Sequence, residues 1–170
     1  MRTNRIITFA LAIGVSGSLL TSCGDDTEAL SKSEFVEQAD AICQTATETL
    51  DPIFEAVFEV FDDVDPEDAA NENLVFERFA EAAVQAEGVW SKMASDIRGL
   101  QEPDEDHDLI ETLLDDLESS VEDLVATTAA AASGDPAAMQ AISNDTDDPF
   151  ADVNRRAREY GLAVCGQDGS

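Results

Sequence analysis

Basic residues are scarce: nine lysines and arginines stand against 38 aspartates and glutamates, a formal net charge of -29 at neutral pH. This balance excludes nucleic acid as a partner, because binding it depends on basic side chains displacing counterions from phosphates. A direct electrostatic hold on anionic lipid head groups fails for the same reason. Histidine occurs once, at position 107. His107 with Asp104 spells D-x-x-H, but a di-iron bundle needs paired E-x-x-H motifs and two histidines. Also missing are a G-x-S-x-G elbow, a glycine-rich phosphate loop, an H-E-x-x-H helix and any C-x-x-C. No catalytic residue, metal ligand or cofactor is therefore assigned, and an enzyme is the least supported class. No segment shows the sustained alternation of a half-buried strand.

Hydrophobic residues make up 44% of the 170, enough for one core and too many for a disordered acidic chain. The longest apolar run lies at the start. Arg2 and Arg5 precede Ile6 to Leu20, which is shorter than the roughly 20 residues that cross a bilayer comfortably, so a cleaved export signal is expected over residues 1–22. Leu20-Thr21-Ser22-Cys23 then resembles the lipobox of bacterial lipoproteins. That resemblance implies acylation of the Cys23 thiol and cleavage just before it, giving a palmitate-type membrane anchor on the extracytoplasmic side. Two or more acyl chains suffice for stable attachment. Losing the two signal arginines takes the mature charge to -31.

Only three cysteines are present. With Cys23 acylated, Cys43 and Cys165 remain, and such a pair outside the cytoplasm is expected to form a disulfide.

Residues 23–30 read as a polar, acidic tether, 31–166 as the folded domain and 167–170 as a tail. Ser31 and Glu34 make a capping box, followed by Phe35, Ala39, Ile42, Ala46 and Leu50 at helical spacing. After Asp51-Pro52, the stretch to Phe61 either continues that helix or starts another. The acidic run 62–68 is a break. A long helix is expected over 69–100, with Val75, Phe79, Ala82, Ala86, Trp90, Met93, Ile97 and Leu100 inward. A third covers 106–132 on Ile110, Leu113, Leu117, Val121, Leu124 and Thr128, and ends at Ser133-Gly134-Asp135-Pro136. A short helix at 136–142 and a last one from near Asp148, with Phe150, Val153, Ala157 and Tyr160 inward, complete the chain. The expected fold is all-α, an up-and-down bundle of about four main helices closed by one disulfide.

"LSKSEFVEQADAIC", Leu30 to Cys43, and "AREYGLAVCG", Ala157 to Gly166, resemble a group of small exported actinobacterial proteins and lipoproteins. Their start is L-S-K-x-E-[FY], followed by A-D-A-I-C, and their ending is Y-G-L-x-x-C-G. The likeness covers about 24 residues at the two ends. It implies a helical domain with Cys43 linked to Cys165, and it implies no activity.

The remaining features have plain structural readings. The acids of Glu102 to Glu111 suit the positive end of a helix dipole. Asn144 to Asn154 lacks the glycine and closing glutamate of a calcium loop, leaving weak, diffuse divalent-cation association with the acidic surface. The spread of 21 aspartates and 17 glutamates over every helix fits adaptation to salt better than one docking patch. Arg155, Arg156 and Arg158 are expected to pair with the acids of neighbouring helices and with the C-terminal helix dipole. Phe54, Phe58 and Phe61 sit in a segment apolar on nearly all sides, which makes them a deep core or a surface for an envelope-protein partner. The functional expectation is a membrane-anchored, non-enzymatic binding or interaction module. The alternative is a carrier of a small apolar ligand or haem in the bundle interior, with Tyr160 and His107 as the available axial-ligand types.

Overall fold

The structure is a computed structural model that describes residues 29–63, 69–143 and 149–167. The expected signal segment, the Cys23 anchor and most of the tether lie outside the described residues. Among those described there are five helices and no strand: α1 (Lys32–Asp63), α2 (Ala69–Arg98), α3 (His107–Ala132), α4 (Pro136–Ser143) and α5 (Ala151–Tyr160). They form a helical bundle in which α1 packs on α2, α2 on α3, and both α4 and α5 on α3. No described helix is long and apolar enough to cross a membrane.

Each boundary has a local cause. Before α1, Ser31 N–H donates to Glu34 Oε2 at 3.0 Å and Glu34 N–H to Ser31 Oγ at 3.4 Å, so two donors without helical partners are satisfied reciprocally. The hydrogen bonds from Ser31 hold the Glu34 carboxyl below its ordinary pKa. Of the two readings left open at Pro52, the structure takes the continuous one: α1 runs through it for 32 residues. The missing N–H costs one ladder bond. Gly134, at φ +87°, ends α3, and the Asp135 side chain then accepts from the N–H groups of Ala137 and Ala138 at 2.8 and 3.0 Å to begin α4.

The core matches the periodicity with one systematic difference. Phe35, Ala39, Ala46, Val75, Ala82, Ala86, Ile97, Ile110, Leu113, Val121, Thr128, Ala157 and Tyr160 are buried as expected. On α2, however, Phe76, Ala83 and Ala94 are buried while Phe79, Trp90 and Met93 are only half-buried. This helix packs against both α1 and α3, so its buried arc is wider than one stripe. Thr128, 2% exposed, satisfies its hydroxyl by donating to the carbonyls of Leu124 and Val125.

Candidate functional site

The two ends of the domain meet along α1. Cys43 and Cys165 form a disulfide across a separation of 122 residues, with Cα atoms 5.1 Å apart. One turn before Cys43, Asp40 points its carboxylate into the turn after α5. Oδ2 accepts from Ala163 N–H at 3.1 Å, and Oδ1 from Val164 and Cys165 N–H at 2.9 and 3.2 Å. A covalent clasp and an anionic cap therefore fasten the same turn.

The turn needs its glycines. Gly161 has φ +119°; its N–H donates to the Arg158 carbonyl and that of Leu162 to the Ala157 carbonyl, which closes α5 and buries Leu162. At Gly166 an added Cβ would sit 2.8 Å from the Asn154 carbonyl oxygen and 2.9 Å from the Arg158 backbone nitrogen. Arg158 in turn donates to the Gly166 carbonyl.

Tyr160 belongs to this end of the bundle. Its ring meets Phe35 edge-on at 6.2 Å, Lys32 Nζ lies 3.9 Å from the ring centroid, and its hydroxyl donates to Asp106 Oδ2 at 2.9 Å. Burial first, and then the hydrogen bond to Asp106, push the phenol well above its ordinary pKa.

Beside Tyr160, the loop from α2 to α3 places Glu102 against His107 at the start of α3, with Glu102 Oε2 2.6 Å from His107 Nδ1. That hydrogen bond and the adjacent negative charge raise the imidazole pKa. Glu111, one turn along α3, completes a cluster whose donor atoms all lie within 4.8 Å of one another. The D-x-x-H pattern of Asp104 and His107, set aside from sequence, is not what the fold assembles; His107 meets Glu102 and Glu111 instead. The i,i+4 step from His107 to Glu111 is legible as a sequence signal, whereas the turn at Pro103 that returns Glu102 is not.

Arg98 links this corner to the rest of α3. Its guanidinium reaches Glu111 at 3.2 Å, Asp115 at 2.8 Å and Glu118 at 2.9 Å, which raises its pKa further, chiefly through Glu118. Of the C-terminal arginines, Arg156 reaches a neighbouring helix as expected, whereas Arg155 stays within α5 and Arg158 donates to the Gly166 carbonyl. Arg155 takes Asp152 and Glu159 of its own helix, and Arg156 takes Asp116 of α3.

The aromatic segment of α1 divides by direction. Val57 is buried, Phe54 is half-buried with its ring 6.1 Å from Trp90, and Phe58 is 58% exposed. The Phe61 side chain lies outside the described set. Trp90 also stacks at 5.1 Å on Phe150, so these rings join α1, α2 and the entry to α5.

Two grooves flank α2. One of about 440 Å³ lies between α1 and α2 and is mostly apolar, with Ile42, Ala46, Val89 and Met93 along it and Lys92 at its side. The other, about 250 Å³, lies between α2 and α3 under Trp90 and carries Glu87, Glu118 and Glu122. Neither contains Tyr160 or His107, the two residues considered as axial ligands.

No protein-family model, curated protein or solved structure matches this chain.

Proposed function

We propose that the protein is an extracytoplasmic lipoprotein acting as a non-enzymatic binding or interaction module, its domain standing off the membrane on a tether acylated at Cys23. In this reading residues 1–22 are removed on export and residues 31–166 form an up-and-down bundle of four main helices. The observation that carries it is the disulfide: it joins Cys43 to Cys165 and leaves Cys23, in its lipobox-like setting, as the one cysteine with another task. A bridge of this kind fits an oxidising compartment. Phe58, exposed on α1 beside the Phe54 ring that packs on Trp90, heads the contact surface for an envelope protein, and divalent cations associate diffusely with the acidic exterior.

The groove between α1 and α2 favours one second reading, carriage of a small apolar ligand, because its lining is mostly apolar.

Mass spectrometry of the protein extracted gently from host membranes tests the proposal. A mature chain beginning at acylated Cys23, gaining two protons on reduction, is expected, and Cys23→Ala should move the protein from the membrane fraction to the medium. An unlipidated wild-type chain with another N-terminus would overturn the anchor. A small molecule retained in the native spectrum would support the carrier reading.

A further inference from the structure

The corner made by the α2–α3 loop and the start of α3 has the composition and spacing of a metal site. His107 and Glu111 share one face of α3, and Glu102 comes from the loop before it, so an imidazole and two carboxylates converge from two directions. Glu102 stands apart among the acids in ion pairs. Its side chain is 10% exposed, whereas the other ion-paired carboxylates of the described residues are 35% to 71% exposed. Water completes the hydrogen bonding of those exposed acids. Among the described residues, Glu102 meets His107 through Oε2. An ionised carboxylate offers about four acceptor positions, so Glu102 keeps lone pairs for an ion while its Oε2 faces the imidazole.

We propose that Glu102, His107 and Glu111 bind one first-row divalent transition-metal ion, with zinc as the representative member. Calcium and magnesium take oxygen ligands and gain little from an imidazole, whereas nitrogen and carboxylate donors together suit zinc and its neighbours. In the bound state the ion replaces the proton between Nδ1 and the Glu102 carboxylate. Those atoms open from 2.6 Å to about 3.3 Å, the separation that tetrahedral coordination at about 2.0–2.2 Å requires. His107 is exposed and free to make that adjustment, and water fills the remaining position. Arg98 steadies Glu111 from the other side and is itself shared with Asp115 and Glu118, so the corner keeps its negative charge.

Because His107 is the sole histidine, its imidazole gives one set of nitrogen-edited NMR signals that reports directly on the site. Zinc is titrated into the intact protein in high salt with excess calcium, which suppresses diffuse association with the acidic surface. One equivalent should shift the imidazole signals to those of a ligated ring. Glu102→Gln and Glu111→Gln should each weaken binding by about tenfold or more, and Asp123→Asn, at an exposed position elsewhere on α3, should not. The two glutamine variants preserve shape, and circular dichroism checks that each stays folded. An unmoved imidazole, or equal affinity in all variants, would overturn the proposal and assign zinc to the diffuse acidic exterior.

Discussion

Replacing Asp40 by alanine removes the acceptor for three backbone donors at once. Val164 and Cys165 donate from partly buried positions and Ala163 from an exposed one, so water substitutes well for only one of the three bonds. A hydrogen bond to a charged group contributes about 1.5–3 kcal/mol, and a buried donor left without a partner costs about 1–3 kcal/mol. Counting the two partly buried donors at the low end gives a loss of about 2–4 kcal/mol for Asp40→Ala. Asp40→Asn keeps one acceptor oxygen and should fall between this variant and wild type. Urea unfolding of the oxidised protein, followed by far-ultraviolet circular dichroism, reads the change as a lower midpoint at unchanged slope. The disulfide fastens the same turn, so the Asp40→Ala cost in a Cys43→Ala/Cys165→Ala background should differ from that in wild type, and a double-mutant cycle measures the coupling. A cost below about 0.5 kcal/mol in the oxidised protein, within ordinary surface variation, would refute the view that the Asp40 carboxylate holds the C-terminal turn.

Breaking the clasp alone, as Cys43→Ala/Cys165→Ala, should lower the unfolding free energy by about 3–5 kcal/mol; the loop of 122 residues sets the upper figure through the chain entropy of the unfolded state. A denaturant midpoint shift equivalent to less than about 1 kcal/mol would show that the unfolded chain is not constrained by the link. Tyr160, the only tyrosine, should ionise above its ordinary value of 10 when absorbance is followed through an alkaline titration. Its folded-state pKa is raised, so the stability it contributes is fully present below pH 10 and is lost as the pH rises through the folded value; unfolding midpoints that stay flat above pH 10 would contradict this. Gly166→Ala should lower stability by about 1–3 kcal/mol because the new methyl meets backbone atoms of Asn154 and Arg158, and an unchanged melting curve would show that the turn relaxes freely.

Most of the fold was legible because its signals are local. The capping pair Ser31 and Glu34, the stop at Gly134 with the restart at Asp135-Pro136, and the 3-4 spacing of α3 all act within one or two turns. Pro52 was ambiguous for the same reason: one lost ladder bond is compatible with a kink or a break, and packing along both sides of it chooses. The burial of Phe76, Ala83 and Ala94 was missed because a period gives the width of an apolar face only when the number of neighbours is known. The disulfide partners could be named because two thiols remained once Cys23 was set aside. The roles of Asp40 and Glu102 could not, since each sits among many acids and differs from them only in what lies opposite.

Composition and short-range pattern thus decide the helical class, the positions of the breaks, the acidic exterior and the cysteine pairing, because helix periodicity and capping are properties of neighbouring residues. Packing alone decides that Asp40 caps a turn more than a hundred positions away, that Arg98 gathers three carboxylates, and that Glu102 is buried against His107 with Glu111 beside it. Those contacts depend on how α2 crosses to α3 and how the last turn returns to α1, and a carboxylate's environment is set by that path through space.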